Sequence, residues 1–297
     1  RASLALADIR ALRALVAEAP VGACPGIEAD IDAARSLARG SRLGLLLLVL
    51  LLLMPLWAIG LLWAQGDRLS DWVSTRVSPA HEQWLGDIAF AQMRGNLRLR
   101  RDGPAPALVH ALGARLTAGT RYRYQWWVAE SPEVNAFALP GGYVVVYSGL
   151  IKLAENPAQL AGVLAHEVQH VEQRHALRQL VHSLGWRASL ALVLGDVAGA
   201  AGVDIGGHLL NLAYSRDLER AADLGALPVL RRARLPADGM LEFFAGVAQR
   251  EGGLPTLLAS HPATQERMAT LRAAIEAQGR YPVELPEVDW AALQASL

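Results

Sequence analysis

The sequence predicts a mainly α fold (α+β), with a small antiparallel sheet set among helices and one transmembrane helix ahead of them. Three observations lead there. An apolar run without charge extends from Leu43 to Ala64, three short strand patterns cluster between Tyr122 and Ser148, and helical periodicity dominates the chain from Pro157 onward.

The chain has 297 residues, enough for one packed domain of about 200 residues and an accessory segment. Its hydrophobic share of 53% is high for a wholly water-exposed protein, so part of it is expected to meet lipid. The formal net charge is +0: no basic excess points to nucleic acid, and no acidic excess points to a solvating tail. Lys152 is the single lysine, a compositional bias toward Arg. Cys24 is the single cysteine, which excludes an internal disulfide and any cysteine-based zinc finger. Metal ligands must then be histidines and carboxylates.

Residues 1–42 read as an N-terminal helical segment with patterns over Ser3–Ala19 and Glu28–Arg39, separated by Pro/Gly turn signals. This segment is expected to be a fragment of something longer. Residues 43–64 form the membrane segment, since about 22 apolar residues in a helix cross roughly 30 Å of hydrocarbon. Trp57, Trp63 and Trp72 fit an interfacial aromatic belt. Arg35, Arg39 and Arg42 precede the span, whereas Arg68 and Arg76 after it are diluted by Asp67 and Asp71. The positive-inside rule therefore predicts a single-pass protein of a bacterial inner membrane with the later domain in the periplasm.

A linker, residues 65–78, leads to the domain of residues 79–297. Helices are predicted over Pro79–Met93 and Ala105–Ala118, and strands over Tyr122–Ala129, Val134–Leu139 and Tyr143–Ser148, with Pro140-Gly141-Gly142 as a turn. A long helix is expected from Pro157 to His182, its end solvated by Glu172, Arg174 and Arg178. Leu184–Ala213 is apolar but interrupted by Asp196, Asp204 and His208, and reads as buried core helices or a lid in preference to a second span.

The long helix carries His166-Glu167-Val168-Gln169-His170. Imidazoles four apart project from one helical face and can grip one metal ion, and the Glu between them sits beside that ion as a general base. This is the spacing of zinc proteases. A third histidine at metzincin spacing is ruled out by Gln173 and Ala176. His175 falls about 180° around the helix from His166 and is expected to be exposed or partner-facing. The segment Tyr214–Asp223 offers Glu219 and Asp223, four apart on one face. Glu219 can ligate while Asp223 orients a ligand histidine through its other nitrogen. Arg216, Asp217 and Arg220 leave a solvated charged helix open as the alternative.

These residues, together with Gln159–Ala165, Asn135-Ala136-Phe137-Ala138-Leu139-Pro140-Gly141-Gly142 and Ser260-His261-Pro262, occur in an order that resembles the gluzincin zinc metallopeptidases of family forty-eight, the HtpX and CAAX prenyl protease-like peptidases. The resemblance spans roughly Pro79 to Ala274. It implies a zincin-like metallopeptidase domain holding one Zn2+ per subunit on His166, His170 and Glu219, with Glu167 as catalytic base. It also implies an edge strand around Asn135, Ala136 and Phe137 that binds the substrate backbone by strand addition. His261 is implied near the metal, donating to the developing oxyanion or capping the open position at rest. Arg267 is read either as an anchor for a substrate carbonyl or as a salt-bridge partner of Glu266 or Glu276.

The expectation is a membrane-anchored zinc endopeptidase, with unfolded or damaged envelope polypeptides as substrates and membrane lipid as its other partner. The rival is a zinc-stabilised polypeptide-binding or chaperone module with little proteolysis, against which the presence of Glu167 counts. A prenyl-protein processing enzyme would need several spans.

Overall fold

Ser78 opens the first helix of the larger unit: its hydroxyl accepts from the His81 amide at 3.2 Å, and Pro79 at the first helical position has no amide to satisfy. In the computed structural model, which describes residues 76–183, 204–210, 213–249, 256–262 and 264–297 together with 48–55 and a few single N-terminal positions, this helix is α1 (Pro79–Met93). The chain divides into two compact units, Arg1–Gly66 and Asp67–Leu297. In the first, residues 48–55 are helical and Leu48–Met54 are exposed. No helix among the described residues is long and apolar enough to cross a membrane. The expected helices over Ser3–Ala19 and Glu28–Arg39, Cys24, and most of Leu43–Ala64 and of Leu184–Ala213 lie outside the described residues.

In the second unit the chain continues through β1 (Leu99–Arg100), α2 (Pro104–Leu116), β2 (Gln125–Ala129), β3 (Ala136–Leu139), β4 (Tyr143–Tyr147), α3 (Ser148–Leu153) and α4 (Pro157–Glu172). After it come α5 (Ile205–Leu210), α6 (Arg216–Arg232), α7 (Asp238–Ala248), α8 (Thr256–Ser260), α9 (Gln265–Gln278) and α10 (Trp290–Ala295). The sheet order is β1-β2-β4-β3. It is mixed, not antiparallel as expected: β2 and β4 run parallel, while β1 and β3 pair antiparallel with their neighbours. The reason lies in β4, Tyr-Val-Val-Val-Tyr, every residue of which is buried. Such a strand needs packed elements over both of its faces, and here it also has a paired strand at each edge. The tight turn at 140–142, where Gly141 takes φ 78, makes β3 its antiparallel neighbour, so β2 is left to pair with β4 in parallel.

One face of the sheet, with Trp126, Val128, Val144 and Val146, packs toward α2 and α4, with α6 and α7 in the same core behind α4; the other, with Leu139, Tyr143, Val145 and Tyr147, packs on α1. Helix α5, the described part of the Leu184–Ala213 stretch, lies against α1 with Ile205 and Leu209 buried.

Helix α4 runs through the core and packs on α6, α7 and β3. Asn156 caps it by accepting from the Gln159 amide at 3.0 Å, with Pro157 next. From Ala158 to Val171 it is buried on all sides, as a helix must be when neighbours cover every face. Gly162 permits the closest approach, since a Cβ there would sit 2.5 Å from Met240 Cα of α7. The expected continuous helix to His182 is broken. It stops at Glu172, Arg174 adopts φ 58, and helical backbone resumes at 175–183. The left-handed turn is held by the Arg174 guanidinium, which donates to Val77 O and Tyr122 Oη at 3.0 Å and pairs with Glu82 at 3.2 Å.

Candidate metal centre

His166 and His170 lie one turn apart on α4, with their Nε2 atoms 2.9 Å from each other. Helix α6 begins at the Ser215 cap, and its first turn presents Glu219 to both, 3.5 Å from His166 Nε2 and 3.4 Å from His170 Nε2. His261 follows α8 and completes the group, its Nδ1 3.2 Å from His166 Nε2 and 2.9 Å from Glu219 Oε1. The four donor atoms lie within 4.8 Å of one another, and all four residues are buried. Three imidazole nitrogens and a carboxylate thus converge at these distances in a dry core. The set fits a zinc ion by donor chemistry and number.

The surroundings fix each donor. Asp223, one turn beyond Glu219, lies 2.9 Å from His166 Nδ1, a bond that would leave Nε2 to face a bound metal. Arg267 grips Asp223 through both prongs of its guanidinium, at 2.5 and 2.8 Å, and pairs with Glu219 Oε2 at 2.6 Å. Phe244 lies under the Arg267 guanidinium at 4.7 Å and edge-on to His166 at 5.4 Å. The Tyr214 ring sits 4.1 Å from that of His170.

Charge follows from these contacts. Burial acts to raise the Glu219 carboxyl, but the His261 and His166 charges outweigh it and hold Glu219 well below the carboxylate range. Asp223 is likewise held low, burial being overcome by its bonds to Arg267 and His166. Burial depresses His166, yet Glu219 and the Asp223 bond carry it up to about 9. His170 is driven well below the imidazole range by burial. Glu167 points the other way: burial raises it against the pull of His261 and His166. Its Oε1 lies 3.6 Å from His261 Nε2 and is buried with no hydrogen-bond partner.

Two expectations are corrected. His175 is not exposed: it is fully buried, with Nδ1 3.1 Å from His170 Nδ1. The 180° phase assumed an unbroken helix, and the left-handed turn at Arg174 resets it. Burial, then Arg178 and His166, lower His175 to about 3. Neutral His175 thus stands toward His170 as Asp223 stands toward His166. Arg267 is not at a substrate surface. It is 5% exposed, and its donors are spent on Asp223, Glu219 and Pro262 O. Glu266 pairs with Arg220 at 2.8 Å instead.

Asn135 is buried beside the first residue of β3, its Oδ1 unpartnered. Ala136 is buried, and Phe137 packs edge-on against Tyr147. β3 is an edge strand, as expected. The Leu257 amide donates to Val134 O at 3.1 Å, tying α8, and with it His261, to the start of that strand. Tyr214, Phe244 and the inward role of His175 were not legible from spacing. Aromatic residues in helical patterns signal core in general, not a particular neighbour.

The paired histidines and intervening Glu on one buried helix, a carboxylate from a later helix, and a small sheet edge alongside define a zincin-type metallopeptidase centre. The particular family is established by comparison: the model of peptidase family M48 matches residues 107–275, more than half of the chain, and the chain belongs to that family. M48 peptidases use zinc, which the donor set accommodates. The chain is 29% identical over 227 residues to the beta-barrel assembly-enhancing protease of Escherichia coli (strain K12), covering 69% of this chain and 47% of that protein. It is 31% identical over 234 residues to the protein of the same name from Yersinia pestis, covering 72% and 48%. With metalloprotease YcaL of Escherichia coli (strain K12) it shares 31% over 181 residues, 57% of this chain and 67% of that one. The chain spans about half the length of the first two relatives.

Proposed function

We propose that this chain is a zinc endopeptidase whose centre is closed at rest, and that its substrates are extended segments of bacterial envelope proteins. The observation that carries this reading is the convergence of His166, His170, Glu219 and His261 beside Glu167, a buried carboxylate with an unpartnered oxygen. His166, His170 and Glu219 are the ligands. Zinc, when bound, supplies Lewis acidity toward the scissile carbonyl and lowers the pKa of water beside it. Glu167 Oε1 takes the proton of the attacking water and delivers it to the departing amine. Asp223 holds the His166 tautomer, and Arg267 positions Asp223 and Glu219.

Three protein donors and an open position make a catalytic zinc site, while four make a closed one. His261, the fourth donor of the group, would cap the open position of a bound zinc at rest, so admitting a substrate carbonyl would require it to withdraw. It then lies beside the cleft as an oxyanion donor. The free edge of β3 takes the substrate as an added strand, with the Asn135 amide on the peptide backbone.

The charge-free run from Leu43 to Ala64 and the arginines before it support a single-pass inner-membrane anchor with the peptidase unit in the periplasm. Relatives named for beta-barrel assembly support envelope proteins as substrates. Zinc content and cleavage of casein are compared for wild type and Glu167→Gln. Zinc is expected to be retained, with cleavage down by about 10²–10⁴-fold; equal cleavage by the two proteins refutes the mechanism. Protease added to spheroplasts should digest the peptidase unit, and full protection would place it in the cytoplasm.

A further inference from the structure

A cavity of 950 Å³ in the second unit lies away from the metal centre. It lies at the other end of the sheet order, where β1 pairs only with Ala129 and Val128 of β2. Glu130 N donates to Arg98 O at 2.8 Å, so residues 130 and 128 turn their main-chain groups toward β1. By the alternation of an antiparallel ladder, Trp126 turns its N–H and C=O the same way, but no β1 residue stands opposite it. The chain has already left the sheet at Arg101 on its way to Gly103, where φ is 112. A length of β2 edge thus opens into the cavity.

The charges around that edge are unequal in their commitments. Arg100 is engaged with Glu130 and Ser296 O, both at 2.7 Å. Asp87, the one acid lining the cavity, accepts from Tyr143 Oη at 2.7 Å and from Gln83. Arg101 and Arg123 also line the cavity, are exposed, and make no ion pair among the described residues. The Trp127 indole N–H is buried without a partner. Uncommitted main-chain donors and acceptors, uncommitted cations and aromatic surface meet in one groove.

We propose that this groove is a second peptide-binding edge: an extended polypeptide adds as a strand beside Trp126 while its acidic side chains pair with Arg101 and Arg123. Main-chain pairing supplies affinity without regard to sequence, and the two arginines select acidic segments. The inference does not depend on the peptidase reading. The groove is at the opposite edge from β3, so a segment held here leaves the β3 edge free.

The test uses the full chain and a short fluorescent peptide alternating Thr and Val with Glu, capped at both ends, against the same peptide with Gln for Glu. Anisotropy should show the Glu peptide binding more tightly. Arg101→Gln/Arg123→Gln should weaken it on the order of tenfold, as two partly exposed pairs allow, and added salt should do the same. Zinc content and cleavage of a short uncharged peptide by the double variant should be unchanged. Amide exchange over residues 125–127 should slow when the Glu peptide binds. Equal affinity for the two peptides, indifference to the arginine substitutions, or protection confined to 136–139 would each overturn the proposal. A third peptide, with Gln for Glu and a free C-terminal carboxylate, that bound more tightly than the capped Glu peptide would assign the arginines to a chain-terminal carboxylate and overturn it as well.

Discussion

Two buried polar clusters lie along the C-terminal half of α4 and just beyond its end, and they treat their carboxylates in opposite ways. At the metal centre Glu219 and Asp223 are surrounded by imidazoles and Arg267, which hold both carboxyls low despite burial. Beyond the C-terminus of the helix, Glu82 bonds Tyr122 Oη at 2.6 Å and Arg174 at 3.2 Å. There burial wins and raises the carboxyl, and Tyr122 is pushed up to about 12 by burial and by Glu82. The second cluster ties α1 to the helix end and the chain before β2. Its groups have divergent partners, whereas at the metal centre several lone pairs share one point. Burial of charge alone does not make a metal site; convergence of donors does.

The comparison breaks most severely at Arg267. Arg267→Met keeps the stem volume but leaves Glu219 and Asp223 buried without their cation, and should destabilise the zinc-free protein by about 3–5 kcal/mol. Urea unfolding in chelator checks this. A loss below about 1 kcal/mol would mean that the two carboxylates do not need it.

A smaller effect is expected at His175. With His170 Nε2 turned to the metal, its Nδ1–H donates to His175 Nδ1. His175→Ala should weaken zinc binding about 10–100-fold in competition with a chromogenic chelator, and His175→Asn should recover part of it. Wild-type affinity in both variants would make His175 mere filling.

The smallest effect sharpens the contrast at Glu82. Its folded-state pKa is raised above the ordinary 4.5, so its contribution to stability is full below that value and is lost as pH rises through the folded value. Wild type should therefore lose stability relative to Glu82→Gln as pH rises from 4.5, and the difference should level off once Glu82 is ionised. Denaturation midpoints across about pH 4–8 test the sign, and a difference growing in the other direction would show Arg174 outweighing burial.

The sequence by itself determined what depends on near neighbours in the chain. Pro79–Met93 is found with the expected ends because Ser78-Pro79 is a start signal in its own right. The spacing of His166 and His170, and of Glu219 and Asp223, places each pair on one helical face, and the apolar run from Tyr143 is legible as a strand, though not its central place in the sheet. What only the tertiary structure decided is where remote residues meet. The packing of α4 on α6, together with the bond between Leu257 and Val134, carries His261 to the histidine pair. The left-handed turn at Arg174, held by groups from α1 and the segment before β2, swings His175 inward. Arg267 turns away from solvent because two buried carboxylates sit within its reach. Periodicity fixes direction around one helix axis, whereas convergence requires the axes themselves to be placed, and their placement is set by the shape of the shared core.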